Sequence, residues 1–320
     1  MRVNRRLLYS GVFFTAIGGV LVAVDVHAVD TATITEALRL WPIAILAIGL
    51  GLILRRTRLS VPGGILAAAL PGLLLGGGFA VAPRIAVDCG AGGVPSSVAT
   101  QQGVFSGPAR VSVRTGCGRI DVTTAPGASW QFQPSDISTR TPIVDASAAS
   151  LSIDAGGYDG WHSFDKSRDA WRLTLPTSRI DELVLIVNAG LGRVSLPGGQ
   201  IDRIGVTANA AETIVDLSAT SVASISGTVN AGLLSFQLPA TADILASMRV
   251  NAGMLQVCAP PGLGLHIHHT GVLNTISVNG LRQTGADWQS PGYASATYHA
   301  DMTITVDLGS VEIDPIGGCK

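Results

Sequence analysis

Asn188-Ala189-Gly190, Asn209-Ala210-Ala211, Asn230-Ala231-Gly232 and Asn251-Ala252-Gly253 decide the fold, because their asparagines stand 21 residues apart, three intervals in succession. A fixed period of this size marks stacked repeats, each of which buries its apolar face only by lying on its neighbours. Written under one another in steps of 21, the repeats form columns. Leu173, Val194, Val215, Phe236 and Val257 make one; Leu175, Leu196, Leu217, Leu238 and Ala259 make the next, two residues on. Val187, Ala208, Val229 and Val250 precede the asparagines, and Ile204 and Ile225 continue Leu183.

Apolar positions at spacing two are strand periodicity. Pro176, Pro197, Pro239 and Pro260 close the alternating runs, since proline has no N–H to give to a ladder. Each unit reads as strand, Asn-Ala-Gly corner, strand and a second corner, with no stretch long enough for a crossover helix. The expectation is an all-β domain over 84–320, a parallel β-helix or β-solenoid with rungs of about 21 residues. Asparagine tolerates left-handed backbone and glycine adopts it freely, and stacked asparagines can bond from rung to rung. Asn188, Asn209, Asn230 and Asn251 are therefore read as a structural ladder. Thr115 to Val122 mirrors Ala189 to Leu196, and Leu308 to Ile313 repeats the second half of the unit.

The first 83 residues differ in composition. Apolar runs at about 7–24, 38–54 and 61–83 are read as three transmembrane helices, near the length a bilayer needs. Arg2, Arg5 and Arg6 precede the first run and Arg55, Arg56 and Arg58 follow the second. Basic flanks stay cytoplasmic, which puts the N-terminus inside and the β domain outside. Gly72 and Gly76 are spaced for close helix packing.

Two segments carry a family resemblance. Leu38 to Ile43, with Trp41-Pro42, through Gly49-Leu50-Gly51 to Arg55-Arg56 resembles the membrane region of LiaI/LiaF-like bacterial envelope-stress proteins. The Asn-Ala-Gly repeat, with Trp288 to Tyr293 and Ile304 to Ile313 behind it, resembles toastrack, or adhesin-like, β-solenoid repeats. The resemblance implies a protein of the bacterial cell membrane that senses, modulates or scaffolds at the envelope. It implies envelope signalling proteins or cell-wall polymer as partners, and it supplies no catalytic residues.

Four cysteines, Cys89, Cys117, Cys258 and Cys319, fall in the expected exterior domain, where oxidising surroundings permit disulfides. Of their three pairings, one closes the two ends through Cys89–Cys117 and Cys258–Cys319. Tyr158, Trp161, Asp165 and Trp171 lie in a segment that breaks the repeat. Rings beside carboxylates are the chemistry of a sugar-binding loop, and a loop folded over the flank is the plainer reading. His266 and His268 share a strand face and His269 adjoins them; without an evident third ligand they predict a polar strand face rather than a metal site. Trp288, Tyr293 and Tyr298 are expected to cover the open C-terminal edge.

No phosphate-binding glycine loop, HExxH or GxSxG is present. Net charge is −1 with charged residues at 13%, and scattered basic residues argue against nucleic-acid binding. Asp181, Asp202 and Asp216 form no acidic pair, and Asp165 with Asp169 is the best one available. The expectation is a non-enzymatic, cofactor-free, membrane-anchored envelope protein. The alternatives are a tethered polysaccharide-binding or polysaccharide-degrading β-helix protein and a surface adhesin.

Overall fold

The computed structural model describes residues 5–25, 41–54, 60–90, 99–136, 141–155, 169–285, 287–314, 316 and 318–319. The chain divides into two compact units, Met1–Ile85 and Ala86–Lys320.

The first unit holds helices α1 (Arg5–Asp25), α2 (Trp41–Leu54) and α3 (Ser60–Gly90). The expectation of a transmembrane region is corrected here: among the described residues, no helix is long and apolar enough to cross a membrane. Helix α2 has only 14 residues, against the roughly 20 apolar residues a span needs. Helix α1 has charged residues at both ends and Ser10 and Thr15 inside its apolar run. Helix α3 is longer but mixes its leucines with Pro62, Pro71, Pro83, many glycines, Arg84 and Asp88. Glycine lets the helices touch: a Cβ at Gly72 would strike the Phe13 carbonyl oxygen at 2.5 Å. Leu7, Phe14, Val22, Leu46 and Ile53 stay exposed in this unit.

The second unit is mostly strand, in chain order β1 (Gln101–Val104), β2 (Ala109–Ala125), β3 (Ser129–Asp136), β4 (Ile143–Ala146), β5 (Ser150–Asp154), β6 (Asp169–Pro176), β7 (Ile180–Ser195), β8 (Gln200–Asp216), β9 (Ser221–Val229), β10 (Gly232–Gln237), β11 (Ile244–Cys258), β12 (Gly264–Val278), β13 (Arg282–Thr284), β14 (Asp287–Gln289) and β15 (His299–Ile313). The long strands stack in parallel. Strand β7 pairs with β8, which pairs with β9 along a first arm and with β10 along a second. Both then pair with β11. The register sets Leu183 on Ile204, Ile204 on Ile225, and Val187 on Ala208, which are the columns read from the sequence.

At the ends the order in space leaves the order in sequence. Strand β2 lies between β6 and β7, and β15 lies between β11 and β12. Antiparallel strands cover the two ends: β1, β3 and β4 at one, β13 and β14 at the other. Strand β2 also corrects a register. Gly118, not Gly116, pairs with Gly190, and Val122 pairs with Val194. A slip of two residues keeps every side chain on its original face, so the apolar pattern alone could not exclude it.

Alternation sends one face of the first arm inward. Val111, Leu183, Ile204, Ile225, Ala246, Met302 and Ile267 form one continuous buried column across β2, β7, β8, β9, β11, β15 and β12. Full burial of each large aliphatic side chain contributes about 1.5–3 kcal/mol, so stacking sustains each rung. Asn188 Nδ2 donates to the Thr115 carbonyl at 2.8 Å, and Asn209 and Asn230 each donate to the preceding Oδ1 at 2.6 Å. Asn251 completes the ladder by donating to Asn230 Oδ1. Glycine at the corner is forced at Gly190 (φ +108), where a Cβ would sit 1.9 Å from the Gly118 carbonyl oxygen.

Candidate functional site

The outward face of the first arm carries the site. On β9, β11, β15 and β12 the register aligns Ser224, Leu245, Asp301 and His266 in one column, and Ser226, Ser247, Thr303 and His268 in the next. The inward residues between them, Ile225, Ala246 and Met302, form the floor of a groove of about 500 Å³ lined by these side chains. Small hydroxyl residues on β9 and β11 leave it open. Leu245, 66% exposed, is an apolar step within an otherwise polar surface.

A linked set of acids and imidazoles stands at the β12 end. His268 Nδ1 lies 2.6 Å from Asp287 Oδ1, and His266 Nδ1 lies 3.2 Å from Asp301 Oδ1. An ionised carboxylate only accepts, so each Nδ1 carries a proton in these contacts. His266 Nε2 is 4.0 Å from Asp287 Oδ2, beyond hydrogen-bond distance. The Tyr293 hydroxyl donates to Asp301 Oδ1 at 2.9 Å, and burial, then this contact, raises its pKa. The Tyr293 ring packs edge-on against His266 and His299 at 5.9 and 4.8 Å. The carboxylates keep lone pairs beyond those engaged, since two oxygens offer about four acceptor sites.

His269 belongs to the opposite side. Its register partner Ile304 lies on Met248, an inward column, and its Nε2 is buried without a partner. Burial, and then neighbouring His268, lower its pKa. Among the described residues no group of three or more His, Cys, Asp or Glu side chains is placed to hold a metal ion.

The other singled-out residues are placed as follows. Asn188, Asn209, Asn230 and Asn251 form the ladder above. Cys258 and Cys319 are joined in a disulfide, Cys117 is also disulfide-bonded, and Cys89 lies where no side chain is described. Tyr158, Trp161 and Asp165 fall outside the described residues. Trp171 is no loop residue: it is 2% exposed on β6 and stacks edge-to-face on Phe132 at 5.3 Å. Trp288 packs on the core beside β12. Reading the sequence singled out the histidines but missed Asp287, Asp301, Leu245 and the serines. The only sequence signal for the serines was their outward phase at spacing two on β9 and β11.

No protein-family model matches the chain and no curated sequence does. Solved structures similar to it include a candidate cell adhesion protein from Clostridium sporogenes, 14% identical, covering 67% of this chain and 98% of its own, with a TM-score of 0.47. Candidate adhesins from Bacteroides fragilis and Parabacteroides merdae are 12% and 9% identical, cover 69% and 67% of this chain and 100% and 95% of their own, and both have TM-scores of 0.29. At these identities and overlaps they assign no activity to the chain.

Proposed function

We propose that this chain is a non-enzymatic binding protein of the bacterial cell envelope whose β unit works outside the cytoplasm, presenting the grooved face of its first arm to a partner. The observation that carries this reading is cysteine usage: Cys258 is bonded to Cys319, Cys117 is bonded too, and among the described residues no cysteine is free. Structural disulfides persist in oxidising compartments and are rare in the cytosol. The groove supports a binding role. It is open, with hydroxyl side chains beside an apolar floor, and among the described residues no hydrogen bond joins a groove serine to His266 or His268 as activation of a nucleophile would require. The exposed apolar side chains of the helical unit support contact with the membrane or with membrane proteins as partners. Sensing or scaffolding in an envelope-stress response is the narrower form of this reading.

The test is photo-crosslinking in living cells from a probe at Ser247, combined with external protease treatment of intact cells. Capture of envelope components and digestion of the β unit from outside are expected. Protection of the β unit until the cells are lysed would overturn the reading.

A further inference from the structure

We propose that the groove binds an extended, uncharged glycan chain lying along the stack, with one sugar ring over each rung. The inference rests on the groove being a binding surface, as above, and adds its ligand. The first observation is geometric. The eight outward side chains form a grid two columns wide and four strands long, Ser224–Leu245–Asp301–His266 beside Ser226–Ser247–Thr303–His268. Adjacent strands lie about 4.8 Å apart, which is of the order of one pyranose ring in an extended chain. A polymer following the stack therefore meets equivalent positions ring after ring, whereas a compact small molecule would need the enclosure this open face does not offer.

The second observation is chemical. Hydroxyls of Ser224, Ser226, Ser247 and Thr303 donate and accept, and Asp301 and Asp287 accept. Sugar hydroxyls do both. Leu245 supplies an apolar patch for the C–H face of a ring, and the His266 and Tyr293 rings stand two strands away at the β12 end. The third observation concerns charge. The carboxylate of Asp301 borders the groove directly and that of Asp287 stands behind His268, while Arg203 and Arg249 beside the groove are turned toward Glu182 at 4.0 Å and Asp307 at 3.8 Å. Uronic acid polymers would bring further carboxylates against Asp301, and neutral chains would not.

Four strands predict a footprint of four rings. The experiment titrates the full chain in detergent with uncharged oligosaccharides of two to six rings, from gluco-, manno- and N-acetylglucosamine-based series, and with an oligogalacturonate of six rings. At least one neutral series should bind, with affinity rising to four rings and flat beyond, and the oligogalacturonate should bind at least tenfold more weakly. Ser247→Arg, a substitution at an exposed strand position in mid-grid, should weaken binding at least tenfold. Leu245→Asp should do the same, while Ser218→Arg in a distant corner should change nothing. Unchanged melting curves for all three variants confirm that folding is intact. No binding by any neutral series, equal binding of the acidic oligomer, or Ser247→Arg binding as well as the parent would each overturn the proposal. Failure here with successful crosslinking to envelope proteins would remove the glycan and leave the envelope reading in place. Glycan binding by a β unit that intact cells protect from protease would do the reverse.

Discussion

Deleting one amide from the asparagine ladder should cost an amount that depends on where in the ladder it stands. Asn209 sits inside: it donates to Asn188 Oδ1 and accepts from Asn230 Nδ2, both at 2.6 Å and both part-buried. Asn209→Ala removes two hydrogen bonds of about 1 kcal/mol net each and leaves Asn188 Oδ1 and Asn230 Nδ2 unpartnered, for a total of about 3 kcal/mol. Asn251 stands at the C-terminal end and makes a single ladder bond, to Asn230. Its loss should cost about 1–1.5 kcal/mol. The next position in that column is Asp307, between the register pairs Val250–Val306 and Ala252–Leu308. Its carboxylate cannot donate to Asn251 and instead lies 3.8 Å from Arg249. Asp307→Asn adds the missing donor and should be neutral to about 1 kcal/mol stabilising, because the exposed ion pair it removes is worth little. Urea unfolding of the full chain under non-reducing conditions, followed by circular dichroism, measures all three. In thermal scans the interior deletion should lower the midpoint by roughly 6–12 °C, at about 2–4 °C per kcal/mol for a unit of this size. If Asn209→Ala and Asn251→Ala differ by less than about 0.5 kcal/mol, the ladder is not a cooperative stabilising element and the reasoning fails.

Gly190→Ala should destabilise by several kcal/mol, since its φ is +108 and the new methyl would meet the Gly118 carbonyl at 1.9 Å; an unfolding midpoint within 2 °C of the parent would contradict this. Cys258→Ser should lower stability by about 4 kcal/mol, because the bond closes a loop with a sequence separation of 61 and holds the end of β15 beside β11; equal urea midpoints with and without the bond would refute it. His269→Leu should flatten the acid side of the stability profile. The pKa of His269 is lowered by burial, so the folded state binds fewer protons than the unfolded one and loses stability as pH falls below the unfolded value of about 6.5. Melting scans between pH 7 and 5 in which parent and variant fall in parallel would exclude it. Asp314→Asn should remove a term of opposite sign. Burial raises that carboxyl's pKa despite the backbone N–H of Ala259, so its ionisation disfavours the fold above the unfolded pKa of about 3.9. Asparagine keeps the acceptor at 2.7 Å from Ala259 N and tolerates the φ of 47, and a loss of stability at pH 7 would count against this account.

The amino-acid sequence by itself determined the repeating middle of the β unit. From Ile180 to Cys258 successive rungs are consecutive in the chain, so a spacing of 21 became the register of the sheet and four asparagines became neighbours. Tertiary structure decided what lies beyond. Strand β2 is inserted ahead of β7, and β15 takes the place beside β11 that β12 would hold in sequential order. Burial of a matching apolar face and completion of an open strand edge choose such a partner, and neither leaves a constant spacing in the chain. That insertion builds the candidate site: Asp301 and Thr303 on β15 fall between Leu245 and Ser247 on β11 and His266 and His268 on β12. Trp171 likewise read as part of a loop, yet it is core, because pairing with β2 and β3 turns its ring toward Phe132. The three apolar N-terminal runs were visible as helices, but hydropathy counted along a line did not fix their ends; a helix of 14 residues and two interrupted by polar residues, proline and charge do not make spans. A period records contacts between sequence neighbours, and the face where a ligand would sit is made by strands that are neighbours only in space.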